Sequence, residues 1–274
     1  PRLLGRRDLD DALALLEKDP VESLFVLSRI ANLGIERLTL GCEVHGIRQG
    51  DALTSLCHAG SNVVTVGADM SAIEGYAARL GVRRGHSSIM GRSDQVRALW
   101  EELCSRQGSS WARPRAIRAR QPLMVIDAEP RVEGDQRVRR IRIDELDAYF
   151  EAAVAMYTEE VGVSPLEASG SYRRYVSTLI RGGQAYGIVE NGRVLFKSDV
   201  ASAHGPHCQI QGVWMAPELR GQGASVPAMA QVVRLVAERH RVQSLYVNDF
   251  NTPARRLYER VGFETVGEFA TVLY

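Results

Sequence analysis

The stretch Val213-Trp214-Met215-Ala216-Pro217-Glu218-Leu219-Arg220-Gly221-Gln222-Gly223-Ala224-Ser225-Val226 runs from an apolar strand through a glycine-rich turn into a helix. Proline is tolerated only in a first helical turn, so Pro227 puts the helix start near Gly223 or Ala224. Val226, Met229, Val233 and Val236 recur at helical spacing and supply its buried face. The first turn of a helix leaves N–H groups without partners, and its dipole adds partial positive charge there. Glycines let an anion approach the backbone closely. The segment is therefore a candidate pyrophosphate cradle. Many strand–turn–helix connections carry two glycines and bind nothing, so the turn does not decide function unaided. It lacks the Gly-Lys-Ser/Thr ending of a nucleotide-triphosphate loop and the G-x-G-x-x-G of a dinucleotide fold.

A second segment adds to the first. Leu245 to Phe263 reads as strand, loop and helix, with Thr252 as N-cap, Pro253 as the first helical residue and Gly262 as terminator. Ala254, Leu257, Tyr258 and Val261 lie on one face of that helix. Arg220-Gly221-Gln222-Gly223-Ala224-Ser225 resembles the first signature of the GNAT acyltransferase superfamily. Asn251, Ala254, Leu257-Tyr258-Glu259 and Gly262-Phe263 resemble the second, in the same order and at a typical spacing. The resemblance covers the second half of the chain.

The resemblance implies a GNAT fold that binds acetyl-CoA as co-substrate. Val213, Trp214 and Met215 would offer backbone groups to the pantetheine arm where the sheet splays. Arg220, Gly221, Gln222, Gly223, Ala224, Ser225 and Val226 would surround the pyrophosphate, and Asn251 would contact the cofactor arm. Tyr258 would protonate the leaving thiolate, since a phenol with an ordinary pKa of about 10 keeps its proton until the thiolate forms. The plainer readings are a core tyrosine at 258 and a turn residue at Asn251. Trp214 is expected to act through its backbone. Ser225 stands where the family usually has Gly or Ala. Where many members carry a basic Glu, this chain has Gln209, Gln211 and Tyr246. His207, at the start of the strand, is the candidate base, with His204, Asp199, Glu190 or solvent as alternatives. A missing general base costs at most about 10²–10⁴-fold in rate.

Working outward, helices are expected over Leu146 to Val161 and Tyr172 to Ile180, and strands over Val138 to Ile143, Gln184 to Glu190, Arg193 to Ala203, His207 to Met215 and Gln243 to Val247. Asn191-Gly192 predicts a type I′ hairpin turn, and Phe263 to Tyr274 reads as an extended hairpin. The first half shows the same order: helices over Leu9 to Leu16 and Val21 to Leu33, strands over Cys42 to Arg48, Ala52 to Cys57 and Asn62 to Val66, and helices over Ser71 to Leu80 and Ser93 to Leu103 with Ser93 as N-cap. Pro122 to Asp127 closes it as a strand. The fold class is therefore α/β with a mixed sheet, in two tandem GNAT-like domains: a degenerate one over 1–125, a linker over 126–137 and the CoA-binding one over 138–274. The first half has no cradle, because Asp69 stands where a phosphate would go. The arrangement is similar to that of mycothiol synthase and other two-domain members.

The net charge of +1 gives no bulk attraction for nucleic acid. Nine arginines fall between Arg113 and Arg142, but Asp127, Glu129, Glu133 and Asp135 interrupt them, as in a linker with solvated faces. Cys42, Cys57, Cys104 and Cys208 form no C-x-x-C pair, which argues against a zinc or dithiol site and for reduced cytoplasmic thiols. No apolar run reaches the roughly 18–20 residues of a membrane span. The expected activity is N-acetylation of a primary amine on a small molecule or peptide by direct attack. The alternative is a non-catalytic acyl-CoA-binding regulatory or scaffold protein. Neither the acceptor nor the oligomeric state is written in the sequence.

Overall fold

The computed structural model describes residues 1–82, 84–166 and 170–274. The chain divides into two compact units. Unit 1 comprises Pro1–Leu123, Tyr246–Phe250 and Thr265–Tyr274; unit 2 comprises Met124–Leu245 and Asn251–Glu264.

Unit 1 contains β1 (Arg2–Leu3), α1 (Leu9–Leu16), α2 (Pro20–Leu33), α3 (Arg37–Leu40), β2 (Glu43–Gln49), β3 (Ala52–Ala59), β4 (Asn62–Val66), α4 (Met70–Leu80), β5 (Ser88–Arg92), α5 (Ser93–Gln107) and most of β6 (Ala116–Ile126). Unit 2 contains β7 (Arg139–Arg140), α6 (Leu146–Val161), α7 (Ser171–Arg181), β8 (Ala185–Glu190), β9 (Arg193–His204), β10 (His207–Met215), α8 (Ser225–Ala237), β11 (Val242–Tyr246) and α9 (Thr252–Val261). The last strand, β12 (Glu264–Leu273), pairs antiparallel with β5, from Phe269↔Arg92 to Leu273↔Ser88.

The strands run β1-β2-β3-β4-β5-β12-β6 in unit 1 and β11-β10-β9-β8-β7 in unit 2. In each unit a three-strand antiparallel meander leads through a helix to a parallel partner: β4 with β5, and β10 with β11. The mixed α/β class and the repeated element order read from the sequence are both present. In unit 1 one apolar cluster joins α1 and α2 to the sheet through Leu16, Leu27, Ile30, Val44 and Leu56. The other joins α4 and α5 through Ile73, Tyr76, Leu99 and Trp111, together with Ala270 and Val272 of β12. In unit 2, Tyr149, Ala153, Val176 and Ile180 pack α6 and α7 together.

Several local expectations change. The segment 263–274 is a single strand, because its apolar residues Ala270 and Val272 belong to the unit 1 core; residues 138–274 are therefore not one compact unit. The strand expected over Val138 to Ile143 shrinks to Arg139–Arg140. Glu145 accepts from the Arg142 N–H (2.9 Å) and from both terminal nitrogens of Arg139 (2.6 and 2.8 Å), which turns the chain into a 3-10 turn. Arg92, not Ser93, occupies the N-cap of α5, and Asn251, not Thr252, that of α9. In α9 the proline at 253 has no N–H, so the first reachable donor is Ala254, 3.2 Å from Asn251 Oδ1. The strand β5 has no clean alternation and escapes sequence patterning. The hairpin turn holds: Asn191 and Gly192 have φ of 51° and 74°.

At least six of the nine arginines of the junction are ion-paired. Arg120, Arg131, Arg137, Arg139, Arg140 and Arg142 each meet a carboxylate, as expected for solvated ion-paired faces.

Candidate active site

The parallel pairing of β10 with β11 covers His207↔Val242, Cys208↔Gln243 and Gln209↔Ser244 and ends there. From Ile210 to Met215, β10 keeps its ladder to β9 only. The strands diverge, and Val213, Trp214 and Met215 present backbone groups along the open edge. On the β9 side, Gln211 faces Asp199 and Trp214 faces Lys197, so β10 carries one extra residue. This bulge needs Gly212, whose φ is +61°.

A buried cluster holds the bulge. Lys197 Nζ lies 2.7 Å from Asp199 Oδ2 and donates to the Gly212 carbonyl at 2.9 Å. The Tyr149 hydroxyl donates to Asp199 Oδ1 at 2.6 Å. Lys197 is fully buried and Asp199 nearly so. A Cβ on Gly212 would lie 2.8 Å from both Lys197 Nζ and Asp199 Oδ2. Burial, then the charge and hydrogen bond of Asp199, push the Tyr149 phenol well above its ordinary value. The sequence reading missed Lys197 and Tyr149. The available signal was that Lys197 is one of only two lysines in a chain whose other basic side chains are arginine and histidine, and that it lies within an apolar strand.

Beyond Met215 a 3-10 turn (Pro217–Leu219) leads to Arg220. Arg220 Nε donates to the Met215 carbonyl (2.9 Å) and Nη2 to Glu159 Oε2 (2.8 Å). Glu159 also accepts from the Trp214 indole at 3.2 Å. The Arg220 and Trp214 side chains thus tie the strand end to α6, leaving backbone groups to face the cleft. Gly221 and Gly223 adopt φ of 73° and 81°, with open space where a Cβ would stand. Gln222 Nε2 closes the turn onto the Glu218 carbonyl at 2.7 Å. Ala224 is the N-cap of α8 and has no side-chain acceptor to offer. Ser225 opens the helix, one residue later than the sequence suggests, and Val226 is buried in its first turn. Among the described residues, the N–H groups of Gly221 to Ser225 meet no acceptor. The corresponding turn of unit 1 is different: Asp69 Oδ1 accepts from Ala72 N at 2.9 Å, so α4 is capped by its own carboxylate.

Tyr258 is buried on α9, with its ring 5.8 Å from that of Phe263. Burial, reinforced by the charge of Glu160, pushes its phenol above the ordinary value, so it keeps its proton at neutral pH. Asn251 is exposed, and its side-chain oxygen is used as the α9 cap. His207 stands at the closed end of β10, paired to His204 on one side and Val242 on the other. At about 3.3 Å per residue it lies roughly 20 Å along the strand from Val213. It is not brought to the cleft. Gln211 is brought there, and its Nε2 donates to the Tyr175 hydroxyl at 2.6 Å. Tyr172 stacks on Tyr175 (6.3 Å) and lies tilted against Tyr157 (5.3 Å), forming an aromatic group on α6 and α7. Residues 167–169, between α6 and α7, lie outside the described residues. Among the described residues, no group of three or more His, Cys, Asp or Glu is arranged to hold a metal ion, and no helix is long and apolar enough to cross a membrane.

Residues 42–149 match the model of a domain of unknown function, DUF4081. Residues 146–263 match that of the acetyltransferase (GNAT) family. No curated protein matches the chain. Among solved structures, it is similar to a Drosophila protein at 17% identity and a TM-score of 0.67, covering 100% of this chain and 98% of that one. An acetyltransferase of the GNAT family from Colwellia psychrerythraea is similar at 12% identity and 0.59, with the same coverage of both chains. A GCN5-related N-acetyltransferase from Sphaerobacter thermophilus is similar at 16% and 0.59, covering 98% of this chain and 93% of that one. At these identities the likeness is one of fold, and it extends through the first half of the chain.

Proposed function

Because residues 146–263 form a GNAT-family acetyltransferase domain, we propose that unit 2 takes acetyl-CoA as co-substrate and passes its acetyl group to a primary amine. Acyl transfer is the chemistry of the family. The observation that carries it is the opening of β10 away from β11 directly before a helix N-terminus whose amides have no acceptor. Backbone N–H groups from Gly221 to Ser225, with the dipole of α8 behind them, suit a pyrophosphate. The unpaired edge at Val213–Met215 suits the amides of a pantetheine arm.

In the transfer, the acceptor nitrogen bonds to the acyl carbon and the carbon–sulfur bond breaks. The proton of Tyr258 goes to the sulfur, solvent returns a proton to the Tyr258 phenolate, and the amine proton goes to solvent. No carboxylate stands at Gln209 or Gln211 to take it, and Asp199 is tied to Lys197 and Tyr149. That absence favours a second reading, a CoA-binding protein without turnover. Calorimetric titration with acetyl-CoA tests the first point: one-to-one binding by the wild type and its loss in Gly223→Asp are expected. Tyr258→Phe separates the two readings. The enzyme reading expects a fall in turnover of about 10²-fold at unchanged acetyl-CoA affinity; a protein that binds but turns nothing over in an acceptor screen supports the second.

A further inference from the structure

The parallel strands of unit 1 also part. β4 and β5 pair at Asn62↔Ser88 and Val63↔Ile89 only. Beyond these, Val64–Val66 keep their ladder to β3, and Met90–Arg92 keep theirs to β12, each on the outer side. Between the inner edges lies a cavity of about 200 Å³ with Leu15, Val64 and Val66 among its apolar lining. Gly91, with a φ of +133°, keeps one wall bare of a side chain.

Among the described residues, one buried polar atom of the lining has no hydrogen-bond partner. Gln95, in the first turn of α5, is 8% exposed, and its Oε1 is buried with no hydrogen bond among the described residues. A buried carboxamide oxygen left unmade is costly, and such a group in a folded protein calls for an occupant. The strand edges add neutral peptide groups without ladder partners, and the charged lining groups balance, Lys18 and Arg92 against Asp19 and Glu22. At the rim, Glu22 is already matched by Arg92 at 3.2 Å. Burial raises the Glu22 carboxyl above its ordinary value. At the start of α4 the Asp69 carboxylate occupies the Ala72 N–H and stands where a phosphate would go.

We propose that the cleft between β4 and β5 is a binding site for a small uncharged molecule carrying amide groups, whose N–H donates to Gln95 Oε1 and whose remaining amide atoms pair with the open strand edges. The site is independent of the acyltransferase reading of unit 2. N-acetylalaninamide is a suitable probe, since a ligand of this size binds in about the millimolar range. The full chain, labelled with nitrogen-15, is titrated with it to about 50 mM. Saturable shifts of the Gln95 side-chain amide and of residues 64–67 are expected. Gln95→Leu is expected to weaken binding by about tenfold or more, one lost hydrogen bond, while its melting midpoint stays level or rises as an unsatisfied group leaves. N-acetylalanine, with a carboxylate in place of the amide, is expected to bind at least about tenfold more weakly. Absence of saturable shifts in the wild type, equal binding by the Leu variant or by the carboxylate probe, or a lowered midpoint in the variant would each overturn the proposal.

Discussion

Lys197 shows how much a single side chain settles. Among the described residues its hydrogen-bond partners are Asp199 and the Gly212 carbonyl, so a cation with no access to water holds the bulge at Gly212, one of two register shifts between β9 and β10. Removing one member of such a pair leaves the other buried and unpaired. Lys197→Met is expected to destabilise the chain by about 3–5 kcal/mol in urea denaturation, and adding Asp199→Leu to recover much of the loss. Gly212→Ala strikes the same place from the strand side. It combines a left-handed φ with a collision against the ion pair, so a loss of about 2 kcal/mol or more is expected, with acetyl-CoA binding weakened in calorimetry. An unchanged melting midpoint in Gly212→Ala would mean that the bulge is not held as described. Glycine 212 and lysine 197 are visible in the sequence, but their meeting is not, because it depends on a register shift between two strands.

At the level of elements, the two parallel strand pairs carry opposite helix termini. Asp69 supplies α4 with its own cap, whereas Ala224 leaves α8 without one. The acid at 69 was legible in the sequence; that its carboxylate turns back onto the Ala72 N–H is seen in the fold. The pairing of β2 with β3 encloses a second device. His58 Nδ1 meets the Asn62 carbonyl at 3.1 Å and Nε2 meets Cys42 Sγ at 3.2 Å. The carbonyl accepts, so Nδ1 carries the proton and Nε2 is free to accept from the thiol. Burial lowers His58 to about 4 and raises the Cys42 thiol, which keeps the pair neutral. With the folded value below the ordinary 6.5, the unfolded chain takes up a proton first as pH falls. The stability tied to neutral His58 is present above about 6.5 and is lost as pH drops from there to about 4, amounting to about 3 kcal/mol. Urea midpoints measured at pH 7.5 and pH 5 are expected to differ less in His58→Gln than in the wild type. Equal differences in the two proteins would show that His58 does not titrate in this way.

For the whole molecule, the decisive feature is that the end of the sequence completes its beginning. β12 follows α9 in the chain, yet it ladders with β5, and Ala270 and Val272 fill the unit 1 core. The Tyr274 hydroxyl donates to the Trp111 carbonyl at 3.0 Å, and the two rings meet edge-on at 5.7 Å. Truncation after Phe263 is therefore expected to abolish hydrogen-exchange protection in β4 and β5 while leaving that of β8 and β9. Retained protection in β5 would contradict this dependence.

The sequence by itself determined the order of the elements other than β1, α3 and β5, the glycine turn at 221–223, the acid at 69 and the mixed α/β class. These rest on period, capping and turn chemistry, which act over a few residues. Tertiary structure alone decided where β12 pairs, that His207 stands at the closed end of its strand, that Lys197 faces inward, and that Gln95 borders a cavity. Each of these depends on the register and divergence of strands far apart in sequence, and a one-residue shift in register reverses which face a side chain occupies.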